Sequence, residues 1–123
     1  MEDDQNEDNR PLRLLFVCGR NRLRSPTAEE VFAGDDVETL SAGVSPDADS
    51  PLDAESIEWA DFVLFMEREH QTKAARQFGG AMRGKRCVCL NIPDQYQYMQ
   101  PELINLLQTR VPRSVPGLRE RFH

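Results

Sequence analysis

The sequence is poor in the residues on which many enzyme chemistries depend. Its 123 residues include three cysteines, two histidines and one tryptophan. Cys18, Cys87 and Cys89 cannot form the paired framework that staples small secreted domains. With only His70 and His123, histidine-rich metal centres and Ser-His-Asp triads have almost nothing to be built from. No apolar run approaches the roughly 18–20 residues that span a bilayer. The N-terminus lacks the basic and apolar segments of a secretory signal. These absences predict a cytoplasmic protein with no metal, no cofactor and no membrane partner.

An excess of basic residues is also missing. The chain has 15 Lys+Arg against 21 Asp+Glu, a formal charge of −6. The acids are unevenly placed: residues 1–10 hold five of them (Glu2, Asp3, Asp4, Glu7, Asp8) and one base, Arg10. Setting that segment aside leaves 16 acids against 14 bases, so the body is nearly neutral. A stable nucleic-acid partner is disfavoured, although a local basic patch is compatible with this balance. Residues 1–10 have no aromatic or β-branched residue, which predicts a disordered acidic tail. Residues 11–123 are the length of one domain with one core.

Apolar and turn-forming residues alternate along that body. Leu12–Cys18 reads as a buried strand. A loop follows, and Ser25-Pro26 reads as the N-cap and first position of a helix that stops near Gly34. Residues 37–42 predict a second strand ending at Gly43. The turn-rich stretch 44–52 leads to a short helix at 53–59, and 62–66 predict the third strand. A charged helix at 67–78 closes at Gly79-Gly80. Residues 86–92 predict the fourth strand, 101–111 the last helix, and the Pro/Arg-rich end an irregular, loosely attached segment. Strands alternating with helices imply a small doubly wound α/β domain: a four-stranded parallel sheet with helices on both faces. Ligands of such sheets bind at the carboxyl ends of the strands. Cys18 ends the first strand and Asp94 lies just past the fourth, so one sheet edge holds both.

The informative segment is Cys18-Gly-Arg-Asn-Arg-Leu-Arg24-Ser25. A short loop between a strand and a helix start can turn several backbone N–H groups inward around a tetrahedral dianion. The helix start adds unpaired amides and the positive end of its dipole. Arg24 can clamp two phosphate oxygens at once. In that field Cys18 is a candidate thiolate nucleophile, with Ser25 able to donate to the sulfur. Gly19, Arg20, Asn21, Arg22 and Leu23 are the candidate lining of the anion site. Asp94 is placed to serve as proton donor for a leaving group.

Cys18-(five residues)-Arg24-Ser25-Pro26 with Asn21 inside the loop, Ser41-Ala42-Gly43, and Ile92-Pro93-Asp94 followed by Tyr96 resemble the low-molecular-weight protein tyrosine phosphatases. The resemblance runs from about Leu12 to Val111 in the family's order. It implies Cys18 as a nucleophile that becomes phosphocysteine and Arg24 as binder of phosphate and transition state. It further implies Asp94 as general acid and then general base. Asn21, Ser25 and Ser41 match positions that hold the loop in shape, and Tyr96 matches a pocket-lining aromatic.

Three departures stand out. Leu23 occupies the place where the family usually has a second cysteine, so Cys18 lacks that disulfide partner. The stretch between Gly43 and Trp59 is shorter than in typical members and has no aromatic before Trp59. Arg20 and Arg22 stand where small or apolar residues are usual, which favours a polyanionic substrate over an isolated tyrosyl ring. The expected partner is therefore a phosphate ester: a phosphoprotein, a nucleotide or another polyanion.

Blander readings exist for several of these residues. Arg20 and Arg22 could be solvated loop charges, and Tyr96 could pack with Tyr98 and Met99 against the last helix. Cys87 and Cys89 read as small apolar core residues, since Cα atoms two apart on a strand are roughly 6.6 Å apart, at the far end of disulfide range. His70, on a polar helix, reads as exposed. Two other functions use a similar loop on a similar fold. An arsenate reductase would relay oxidation through Cys87 and Cys89. A phosphocysteine carrier would need neither Arg24 nor Asp94.

Overall fold

The computed structural model describes residues 10–118. Of the tail expected over residues 1–10, residues 1–9 lie outside the described residues, as does His123. Arg10, assigned to that tail, is tied to the fold: its guanidinium donates to Asp61 Oδ1 at 2.9 Å.

Four strands, β1 (Leu12–Cys18), β2 (Val37–Gly43), β3 (Phe62–Phe65) and β4 (Arg86–Cys89), alternate with four helices, α1 (Arg24–Phe32), α2 (Ala54–Trp59), α3 (Arg68–Met82) and α4 (Pro101–Ser114). All strand pairs are parallel, in the order β2-β1-β3-β4. The central strand β1 is apolar on both faces because both are covered. Leu14, Phe16 and Cys18 face a cluster with Ala28 and Phe32 of α1 and Leu103, Leu107 and Val111 of α4. Leu15 and Val17 face the other cluster, with Ile57 of α2 and Ala74 of α3. The expected doubly wound four-stranded sheet is the observed one.

Several boundaries differ, each for a local reason. Helix α1 begins at Arg24 with Leu23 at the cap position, so Ser25 lies inside its first turn instead of capping it. Gly79-Gly80 does not end α3. Phe78 adopts φ −131° and ψ 36°, a kink, and the helix resumes to Met82. That last turn continues because Phe78, Ala81 and Met82 pack on the core. Strand β4 pairs only to Cys89, because Asn91 turns through φ 57°. Leu90 and Ile92 still donate to Phe65 O and Met66 O, each at 2.8 Å. Helix α4 runs through Pro112 to Ser114, and Val115 and Leu118 beyond it are buried. The C-terminal stretch is therefore anchored as far as Leu118, not loosely attached.

Candidate active site

The strand order reverses direction at β1, with β2 on one side and β3 on the other. That arrangement opens a crevice at the carboxyl ends of β1 and β3. A cavity of about 520 Å³ occupies it. Cys18, Gly19, Arg20, Arg22, Leu23 and Arg24 line one side. Glu67, Glu69, His70 and Lys73, from the β3–α3 junction and α3, line another, and Val44, Ser45 and Asp94 complete the rim. Among the described residues no Phe, Tyr or Trp lines it.

The Cys18–Ser25 loop is held from beneath. Asn21 adopts φ 59°, a left-handed conformation that asparagine tolerates better than most residues. This turn brings the Asn21 N–H to 3.2 Å from Cys18 Sγ. Ser25 Oγ lies 2.9 Å from the same sulfur and donates to Asn21 Oδ1 at 2.8 Å. Both Asn21 and Ser25 are buried beneath the loop and outside the cavity lining, so they contact the sulfur and not the open space. Outside the loop, Val44 N–H donates to Cys18 O, Ser45 N–H to Gly19 O, and Asp49 N–H to Arg20 O. The shortened 44–52 stretch thus braces the loop's outer side.

Arg24 is 5% exposed. Its Nη1 donates to Glu67 Oε1 at 2.6 Å and to the Ile92 carbonyl at 2.7 Å. Both Nη1 hydrogens are therefore engaged. The opposite edge of the guanidinium, Nε and Nη2, is left for the cavity, with Asp94 Oδ1 3.8 Å from Nε. Asp94 itself is exposed, on a segment secured at both ends. Arg110 Nη1 donates to the carbonyls of Leu90 and Asn91, and Met99 N–H donates to Thr27 Oγ1 of α1. Cys18, Arg24 and Asp94, separated by as many as 76 positions in sequence, thus share one cavity.

Not every expected site residue is there. Ser41 does not reach the loop; its hydroxyl donates to Glu29 Oε1 of α1. Tyr96 does not line the cavity and packs against the α1/α4 core cluster instead. Arg20 and Arg22 are at the rim, but each faces an acid of the 44–52 stretch: Arg20 lies 3.9 Å from Asp47 and Arg22 3.4 Å from Asp49. Cys87 and Cys89 are half-buried free thiols on β4, away from the cavity; burial pushes the Cys87 thiol up.

Val44, Ser45, Glu67, Glu69, His70 and Lys73 line the cavity without having been expected there, and two of them bear on the loop and its arginine. His70, expected at the surface, is 5% exposed and faces the loop, and Glu67 is the arginine's partner. Glu67 N–H donates to His70 Nδ1 at 3.1 Å, so the neutral ring carries its hydrogen on Nε2, 3.7 Å from Glu67 Oε1. Burial and then the charge of Arg24 lower the His70 pKa below its ordinary value, against the opposing pull of Glu67 and Glu69. The signal was available in topology. Met66 N–H donates to Val17 O, so the residues after β3 necessarily flank the loop after β1.

A parallel α/β sheet whose first strand ends in a cysteine, with a loop closing on a buried arginine at a helix start, defines the class of cysteine-loop phosphatase folds. Known proteins agree. The chain is 35% identical over 94 aligned positions to a protein-arginine-phosphatase of Bacillus subtilis, spanning 54% of this chain and 63% of that relative's length. It superimposes on the YwlE arginine phosphatase of Geobacillus stearothermophilus with a TM-score of 0.68 and 25% identity, covering 92% of this chain and 98% of that one. The fold is also that of the tyrosine phosphatase Wzb of Escherichia coli, at a TM-score of 0.65 and 23% identity over 82% of this chain and 94% of that one. No family profile matches the sequence. The chain thus shares the fold of these cysteine-dependent phosphatases, and it spans less than two thirds of the length of the curated relative it matches.

Proposed function

We propose that this protein is a cytoplasmic, metal-independent phosphomonoester hydrolase acting through a cysteinyl-phosphate, with phosphoproteins as its broad substrate class. The observation that carries this reading is the convergence of Cys18 Sγ, the Nε–Nη2 edge of Arg24 and the Asp94 carboxyl on one cavity. Cys18 as thiolate attacks phosphorus. The S–P bond forms as the P–O bond to the leaving group breaks, and Asp94 gives that oxygen a proton. The Cys18–Ser25 loop serves as the phosphate-binding loop: its amides and Arg24 hold the equatorial oxygens, where charge is greatest in the transition state. Water then attacks phosphorus, Asp94 takes its proton, and the S–P bond breaks to return the thiolate.

Neither alternative gains support. An arsenate-reductase relay needs cysteines near Cys18, and Cys87 and Cys89 lie on β4 outside the cavity. A pure phosphocysteine carrier has no use for Arg24 and Asp94. The test is hydrolysis of aryl and alkyl phosphates in the presence of a chelator. Cys18→Ser abolishes turnover, and vanadate inhibits the wild type. Asp94→Asn loses about 10²–10⁴-fold in rate, least with leaving groups that need no proton. Normal turnover by Cys18→Ser would overturn the reading.

A further inference from the structure

We propose that Glu67 is a positioning residue that orients Arg24, presenting the Nε–Nη2 edge of its guanidinium to the phosphoryl group. The inference rests on the hydrolase reading of the same cavity, and it concerns a residue outside the Cys18–Ser25 loop. A guanidinium on a long side chain has several ways to face a pocket, and only the edge carrying Nε–H and a parallel Nη2–H matches two oxygens of a tetrahedral anion. Arg24 is fixed from behind at one nitrogen. Nη1 has two hydrogens; Glu67 Oε1 takes one at 2.6 Å and the Ile92 carbonyl takes the other at 2.7 Å. With Nη1 held at two points the plane can neither spin nor tilt.

Glu67 is itself fixed. Its N–H is bound by His70 Nδ1 at 3.1 Å, and it follows Met66, the residue after β3, whose N–H donates to Val17 O of β1. The Arg24 side chain is 6% exposed and that of Glu67 34% exposed, so the pair sits at the cavity wall with the arginine behind. Leaving a buried guanidinium without this acceptor would release it to collapse onto Asp94, whose Oδ1 is already 3.8 Å from Nε. Glu67 therefore also keeps Arg24 and Asp94 apart, so that one can bind phosphate and the other can reach the leaving group.

The experiment compares wild type, Glu67→Gln and Glu67→Ala in two measurements: steady-state hydrolysis of p-nitrophenyl phosphate and the affinity for inorganic phosphate by calorimetry. Glu67→Ala is expected to lower kcat by about 10–100-fold and to weaken phosphate binding. Glu67→Gln keeps an acceptor oxygen and recovers most of both. In an Arg24→Lys background the further loss on Glu67→Ala shrinks to less than about twofold, because no guanidinium remains to be oriented. Equal losses in the two backgrounds, or wild-type kcat in a folded Glu67→Ala, overturn the proposal. Should Glu67→Ala fail to fold, Glu67→Asp keeps the charge but withdraws it by one methylene; retention of full kcat and phosphate affinity there overturns the proposal equally. If the wild type binds phosphate yet hydrolyses no ester, the hydrolase reading falls, while the phosphate affinities of the same variants still decide the role of Glu67.

Discussion

Ser25 has one hydroxyl hydrogen and two neighbours that want it, Cys18 Sγ at 2.9 Å and Asn21 Oδ1 at 2.8 Å. While Cys18 is a thiol, its hydrogen can go to Ser25 and that of Ser25 to Asn21. Once the sulfur is a thiolate, Ser25 turns its hydrogen to sulfur, and the Asn21 amide flips or accepts the loss. The loop's charge state is thus coupled to buried hydrogen bonds that no solvent reaches. His70 adds a second single-residue effect, and here the sign can be worked out. Burial and Arg24 hold its pKa below the ordinary value, Lys73 acts in the same direction, and Glu67 and Glu69 oppose them. The unfolded chain then binds the proton more tightly than the folded one, so stability is full above about pH 6.5 and is lost as pH falls through the folded value. His70→Asn keeps an acceptor near the Nδ1 position for the Glu67 N–H. Its melting temperature is expected to fall less than that of the wild type between about pH 7 and pH 5. Parallel curves for the two proteins would assign the acid sensitivity to other groups.

Among the elements, the β2 end and the loop after β1 are packed against each other at backbone distance. Gly43 pairs with Cys18 in the sheet, and a Cβ built there would lie 2.5 Å from Gly19 O and 2.6 Å from Ala48 Cβ. Neither contact can yield cheaply, since one is backbone of the loop and the other belongs to the stretch that braces it. Gly43→Ala is expected to cost about 1–3 kcal/mol in a urea titration and to lower kcat by displacing the Gly19 carbonyl. A variant of wild-type stability and rate would show that the loop is softer than its hydrogen bonds suggest. The same strand-and-loop scale marks where sequence reading succeeded and where it stopped. β1 was legible because six of its seven residues, all but Arg13, are apolar, and the element order followed from alternating patterns. The reading missed the start of α1 because Ser25 has the chemistry of a cap, and its hydroxyl is instead taken by Cys18 and Asn21. It placed a stop at Gly79-Gly80, where packing of Phe78, Ala81 and Met82 outweighs two glycines. It left His70 at the surface because the polarity of α3 says which residues are soluble, not which end of the helix abuts a neighbouring loop. Ser41 and Tyr96 were carried by resemblance alone, and the structure gives them other partners, Glu29 and the α1/α4 core.

For the molecule as a whole, the question is what reaches the cavity. The chain carries a net −6, which repels polyanions at long range, and at the rim two arginines face two aspartates. Asp47 is held below the usual carboxylate range by a hydrogen bond from Ser45 and by Arg20, so it stays charged at neutral pH. These side chains are half or more exposed, and pairs of that kind contribute little to stability and are screened by salt. Such pairs can be exchanged for a ligand's own anionic groups, and while they stand Asp47 and Asp49 lower the positive potential at the rim. Replacing both acids, Asp47→Asn with Asp49→Asn, is expected to lower KM for a nucleoside 3′,5′-bisphosphate or a doubly phosphorylated peptide by roughly two- to tenfold at low salt. Arg20→Ala with Arg22→Ala is expected to raise it by a similar factor, and both effects shrink as ionic strength approaches 1 M, where the screening length is about 3 Å. For p-nitrophenyl phosphate, which has no second anion, kcat/KM should change less than either. A phosphotyrosyl peptide favoured over every polyanion, with KM indifferent to all four substitutions, would mean that the rim arginines serve only to fasten the 44–52 stretch to the loop.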